Sequence, residues 1–131
     1  MVYLFVLGRI VYGGFFLLSG LNQFHSLATL SDDARRKGVP APQVAVMAAG
    51  AINLLGGISV LLGAYPTIGL ACIVLFLVPA ALFMHNFWST TDPIAKKDNQ
   101  VNFGKNLAIT GATLMLMLMP QPWPISLGWG F

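Results

Sequence analysis

Few side chains in this sequence can do chemistry, and they fall into two sets. His85, Asn86 and Trp88 stand within four residues of one another, and Lys105 and Asn106 follow after a polar stretch. Imidazole, amide and indole N–H groups donate hydrogen bonds, and an ammonium adds positive charge. Such a set suits a carbonyl or an anionic oxygen, as in a quinone headgroup or a phospholipid phosphate. The plainer reading is a group of separate interfacial anchors, each turned toward lipid headgroups. The second set is Arg9 and Asn53, each inside a long apolar run, where a polar side chain needs a reason. Counted from the run ends, their depths differ by about one helical turn, a gap an arginine can bridge. An intramembrane pair of Arg9 with Asn53 is therefore expected, beside two other readings: Arg9 reaching out to headgroups, or Arg9 holding a ligand.

Several chemistries lack their residues. Cys72 is the single cysteine, so there is no disulfide, no CxxC pair and no zinc or iron–sulfur ligand set. The acids Asp32, Asp33, Asp92 and Asp98 lie outside the apolar runs, and no metal-ligand cluster forms. A serine or cysteine nucleophile with a base is absent, so no catalytic residue is assigned. His25 and His85 approach the same membrane face, which permits a bis-histidine haem, but nothing else in the chain signals one. No intrinsic cofactor is expected.

The elements that must position these residues are set by composition. Of 131 residues, 56% are hydrophobic and 8% charged, and the mean hydropathy is +0.76. Soluble domains carry about 25% charged residues, so lipid must cover what water cannot. The formal charge of +3 reflects topology rather than nucleic-acid binding. Four apolar runs approach the roughly 20 residues of a spanning helix: about 2–25, 41–64, 67–88 and 103–119. The expectation is an all-α, integral membrane four-helix transmembrane bundle in one domain, 1–131. The first run is read as a retained helix, because no positive charge precedes it. Tyr65-Pro66 leaves room only for a tight hairpin. Residues 26–40 and 89–102 then form two loops on one side, carrying Arg35, Arg36, Lys37, Lys96 and Lys97, with Lys105 just inside the fourth helix. By the positive-inside rule that side is the cytoplasm, or a mitochondrial matrix, and both termini face away from it. A bacterial or mitochondrial inner membrane fits. Trp123, Trp129 and Phe131 are expected in an interfacial belt.

The first loop should hold a short interfacial helix capped by Ser31, with Asp32 and Asp33 in its first turn and Arg35, Arg36 and Lys37 in its last. Gly38 and Pro40 would end it. Helices in lipid associate through small residues and polar contacts. The expected inner faces are Arg9, Gly13, Phe16 and Gly20 of the first span, Ala45, Ala49, Asn53 and Gly57 of the second with Gly56 and Gly63, and Asn106, Thr110 and Thr113 of the fourth. Pro79 should kink the third and free the Leu75 carbonyl. Leucine at Gly57 should disrupt packing, and at Ile73 it should be mild.

These residues carry a resemblance. Gly8-Arg9 and Ser19-Gly20, Gly38-Val39-Pro40, Leu61-Leu62-Gly63, His85-Asn86-Phe87-Trp88 and Phe103-Gly104-Lys105-Asn106 resemble the DoxX family in order and spacing. The resemblance implies a four-helix membrane fold and several kinds of role. The family takes its name from a subunit associated with quinone-reducing sulfur oxidation. Other relatives are partners in redox-defence assemblies, accessory subunits of respiratory complexes, cargo receptors and receptor-assembly chaperones. Asn53 stands about where many relatives carry an acid, and an amide cannot carry a proton for them.

The functional expectation is a subunit of a respiratory or other energy-transducing oxidoreductase complex, structural and accessory, binding a quinone or phospholipid. Its partners would be membrane lipids and other membrane subunits, not nucleic acid. A stand-alone assembly chaperone or cargo receptor is the alternative, followed by a small transporter.

Overall fold

Leucine, valine, phenylalanine and alanine fill long stretches of the chain, with prolines and glycines at their borders, and helices result. The computed structural model describes residues 1–130 and places them in α1 (Val2–His25), α2 (Leu27–Arg36), α3 (Pro42–Leu62), α4 (Pro66–Met84) and α5 (Pro93–Met117). Pro42, Pro66 and Pro93 open the last three, where an absent N–H costs nothing. A single 3-10 turn, Phe87–Ser89, follows α4.

The helix surfaces are inverted relative to a soluble bundle. The buried stripe of α1 is Arg9, Gly13, Phe16 and Gly20, as expected from spacing. Its opposite face, with Leu4, Leu7, Val11, Phe15 and Leu18, is exposed. Each such side chain left in water forgoes about 1.5–3 kcal/mol, so this outer face belongs in lipid. Val2–His25, Pro42–Leu62 and Pro66–Ser89 are long and apolar enough to cross a membrane.

Glycines let α1 and α3 pack backbone to backbone. A methyl group added to Gly57 would lie 2.6 Å from Leu17 N and 2.8 Å from Gly13 O; one on Gly20 would lie 2.8 Å from Gly50 O. The buried strip of α3 is Val46, Gly50, Asn53, Gly56, Gly57 and Val60. Ala45 and Ala49, expected on it, are rotated toward α4 and only half-buried. The α3–α4 hairpin turns through left-handed Gly63 and Tyr65, and Ser59 Oγ donates to Ala64 O at 2.6 Å. A methyl group on Gly56 would lie 2.7 Å from Ile73 Cγ1. Ile73 is fully buried in the core with Phe16, Val60, Leu70, Leu77 and Trp123, so it is not the tolerant position expected of it. On α5, Thr110 and Thr113 are buried, and Thr113 Oγ1 hydrogen-bonds Tyr12 Oη, linking α5 to α1.

Three expected boundaries change. α5 starts ten residues before its apolar run, because Asp92 caps it, its Oδ2 accepting from Ala95 N at 2.9 Å, and Pro93 takes the first position. Most of the expected second loop is thus helix, and Lys105 lies three turns inside α5 rather than at its N-terminus. α4 ends at Met84, so His85, Asn86 and Trp88 follow it. α2 starts after Ser26, not Ser31, which is buried within it. Asp32 and Asp33 accordingly sit beyond its first turn and pair with Arg35 at 2.8 Å and Arg36 at 3.5 Å. Gly38 adopts φ +80°, as its place after α2 requires.

After α5 the chain folds back over the hairpin end. Leu127 N donates to Leu62 O at 2.9 Å, satisfying a carbonyl at the end of α3. Gln121 Nε2 donates to Thr67 Oγ1 at 2.8 Å. Trp123 is buried with its ring 5.4 Å from Phe5, centroid to centroid. It is therefore a core residue and not part of a belt. Trp129 is exposed, and Phe131 lies outside the described residues.

Candidate functional site: a slot between α3 and α4

The close contact of α3 with α4 at Gly56 and Ile73 does not persist along their length. Toward the basic end a cavity of about 460 Å3 separates them. Small residues make the room: Ala45, Ala48 and Ala49 on α3 face Pro79 and Ala80 on α4, with Ile52, Phe76 and Phe83 completing the walls. Pro79 lies within α4, which continues to Met84, and stands on this wall with Leu75. Leu30 and Ala34 of α2 close the end. Phe15, Leu75 and Phe83, at the edges, are also exposed to the lipid side. The slot thus opens sideways.

Its polar groups come from two helices and the residue that follows α4. Ser19 and Gln23 of α1, His85 beyond α4 and Asn106 of α5 border it. Asn53 Nδ2 donates to Gln23 Oε1 at 3.0 Å, which orients the Gln23 amide and leaves its NH2 group to donate. His85 Nδ1 is buried without a hydrogen-bond partner, and Asn99 and Lys37 are its polar and charged neighbours. Burial of this nitrogen without a partner carries a desolvation cost. The arrangement suits an apolar body bearing a hydrogen-bonding head. Its volume falls within the roughly 300–1,000 Å3 of small-molecule sites.

Of the five residues expected to bind a ligand, His85 and Asn106 border the slot. Asn86, Trp88 and Lys105 do not. The Asn86 carbonyl accepts from Ser89 N and Thr90 Oγ1. Trp88 packs edge-on against Phe87 and Phe103, at 5.3 and 5.6 Å, and is half exposed. Lys105 is exposed. Ser19, Gln23 and the alanine wall were missed as a site. Their signal was the cluster of small residues at 45, 48 and 49, which reads equally as packing. His25 is exposed and not on the slot.

The expected Arg9–Asn53 pair is not formed. Asn53 is buried against Gln23, whereas Arg9 donates from Nη1 to Pro124 O at 2.9 Å and from Nη2 to Ile125 O at 2.5 Å. The cause is register. Gly13 lies against Gly57 and Leu61, and Gly20 against Gly50 and Leu54, which puts Arg9 level with Gly63 and Asn53 level with Ser19. Those levels are about 15 Å apart at 1.5 Å per residue. α1 begins some two turns beyond the end of α3, and the C-terminal segment fills that step.

Inverted surfaces, glycine-knit helices and three long apolar helices define a helical membrane protein. The chain belongs to the DoxX family, whose model matches residues 4–86. That stretch runs from α1 to just past the end of α4 and includes His85 and Asn86; Phe103-Gly104-Lys105-Asn106 lies beyond it. No curated protein and no solved structure matches the chain.

Proposed function

We propose that the chain is a four-span membrane subunit of an energy-transducing oxidoreductase assembly, non-catalytic by itself, that holds a quinone or phospholipid in the slot between α3 and α4. The slot carries this reading: apolar walls open to lipid, and the polar residues Gln23, His85 and Asn106 on its border. Gln23 and Asn106 would donate to a carbonyl or phosphate oxygen, with His85 beside them, and Phe83 and Pro79 would flank the body. The apolar part of α5 serves as the fourth span. Arg35, Arg36, Lys37, Lys96, Lys97 and Lys105 then share the cytoplasmic or matrix side, where a redox partner would dock.

The test is purification in mild detergent, with native mass measurement and extraction of bound quinones and lipids. A large assembly carrying quinone or ordered phospholipid is expected. A clean monomer or dimer would favour the assembly-chaperone or cargo-receptor reading instead. His85→Ala and Asn106→Ala should each reduce the retained molecule about fivefold to tenfold, the effect of one lost hydrogen bond of about 1–1.5 kcal/mol. Full retention by both variants would leave the slot as packing space.

The topology is tested in a Cys72→Ala background. Cysteines at exposed Asp32 and Asp98 should label from one side of the membrane, and a cysteine at exposed Trp129 from the other. Labelling of Asp32→Cys and Trp129→Cys from the same side would exclude four spans.

A further inference from the structure

The slot between α3 and α4 also restricts the charge of what it can hold. Lys105 is the cation of the set that the sequence offered for an anionic oxygen, and it is exposed and off the slot. Arg35 and Arg36 are exposed and paired with Asp32 and Asp33. Lys37, the charged neighbour of His85, does not line the slot either. Among the described residues, no Lys, Arg, Asp or Glu borders it. The hydrogen-bonding side chains that do are a hydroxyl, two amides and an imidazole, those of Ser19, Gln23, Asn106 and His85. An imidazole is mostly uncharged at neutral pH. A phosphate brought here would lose its water without gaining a cation, which is strongly disfavoured. A neutral head loses less and still finds donors.

Shape narrows the class further. α1 packs on α3, and α5 packs on α4. Gln23 on α1 and Asn106 on α5 therefore stand on the α3 side and the α4 side of the slot. The Gln23 amide oxygen is occupied by Asn53, which leaves the NH2 group to donate. Amide donors on two sides suit a head with an acceptor at each end. Phe15, Phe76 and Phe83 line the space, and aromatic side chains pack well against a flat ring. At about 30 Å3 per water-sized group, the 460 Å3 hold roughly fifteen such groups. That is room for a substituted ring and the start of one chain, not for two acyl chains. The rest of a single chain leaves through the lipid-facing side, where Leu75 and Phe83 are exposed.

We propose that the slot selects an uncharged ligand with a flat ring, an acceptor oxygen at each of two opposite ring edges, and one apolar chain. That is the chemistry of a 1,4-quinone rather than of a phospholipid. The inference rests on the reading of the slot as a binding site and narrows it. Gln23 and Asn106 each donate to one ring oxygen, the phenylalanines flank the ring, and the chain passes out between α3 and α4. Every phospholipid carries a phosphate, so a slot lined without charge keeps the commonest amphiphiles of the bilayer from competing.

The test uses the delipidated protein in neutral detergent, with decylubiquinone and dioleoylphosphatidylglycerol as probes and thermal unfolding as the readout. A molecule that binds the folded state raises the melting temperature with its concentration. Ala49→Leu puts bulk into the slot from α3, and Ala80→Leu does so from α4. Both fill open space, a change that commonly leaves stability equal or higher. Decylubiquinone should raise the melting temperature of the wild type saturably and have no effect on the filled variants. Asn106→Leu should weaken its binding about fivefold to tenfold, the loss of one hydrogen bond. Phosphatidylglycerol should act alike on the wild type and the filled variants, because it meets only the outer surface. No decylubiquinone effect on the wild type would overturn the inference. If the phosphatidylglycerol effect were then lost in the filled variants, the slot would stand as a lipid site. An unchanged decylubiquinone effect in both filled variants would overturn the slot itself as the place of binding.

Discussion

Gly57→Leu is expected to lower the stability of the bundle by at least about 3 kcal/mol and to separate α1 from α3. Overpacking of a core typically costs about 1–3 kcal/mol, and relaxation by flexible side chains keeps the cost low. Here the atoms in the way are backbone: Leu17 N at 2.6 Å, Gly13 O at 2.8 Å and Leu17 Cα at 3.0 Å from an added methyl group. Neither helix can yield without moving whole. The contact recurs one level away, where Gly20 meets Gly50 O and Leu54 N, so a shift at Gly57 loosens both levels. The proper control is Gly14→Leu on α1, since a methyl group there meets nothing within 4 Å. Thermal unfolding in a fixed detergent is the measurement. Gly57→Leu should melt well below wild type and Gly14→Leu close to it. Equal melting of Gly57→Leu and wild type would show that α1 and α3 do not depend on backbone approach.

What was legible in the sequence was whatever repeats along a single helix. Arg9, Gly13, Phe16 and Gly20 follow the helical period and nothing else links them, so their common burial could be read directly. Partners between helices were harder, because they depend on register. Arg9 and Asn53 look level only if α1 and α3 end together; the glycine contacts offset them instead. The prolines at 120, 122 and 124 announce that α5 stops, but not that the chain returns to Arg9 and Thr67. α5 itself was hidden for its first ten residues because they are polar, although Asp92-Pro93 is an ordinary cap and first position. The site was half legible. His85 and Asn106 stand out as polar residues near an apolar boundary. The slot beside them exists because α3 and α4 touch at Gly56 and lie apart at Ala45 and Ala49, a property of two helices that neither periodicity displays.

Arg9→Leu should release the C-terminal segment while sparing the rest of the bundle. The guanidinium joins two consecutive carbonyls, Pro124 O and Ile125 O, to α1, and hydrogen bonds to a charged group contribute about 1.5–3 kcal/mol each. Leucine restores apolar volume but no donor, so both carbonyls would seek water or headgroups. The net loss expected is about 3 kcal/mol, felt by residues 118–130. Three ties would remain: Leu127 N to Leu62 O, Tyr65 N to Trp129 O, and Gln121 to Thr67. Of these, the first two lie beyond Ile125, and Pro124 and Ile125 are themselves exposed, so the middle of the segment would lift first and carry Trp123 with it. Trp123 emission, read with Trp88 and Trp129 replaced by phenylalanine, should move to longer wavelength, and protease should cut near Ile125. Arg9→Lys keeps the charge but is a point donor without the planar fork; it should hold one carbonyl and fall between wild type and Arg9→Leu. If Arg9→Leu leaves both the emission and the cleavage pattern unchanged, the packing of Trp123 on Phe5 holds the segment, and the two carbonyls need no guanidinium.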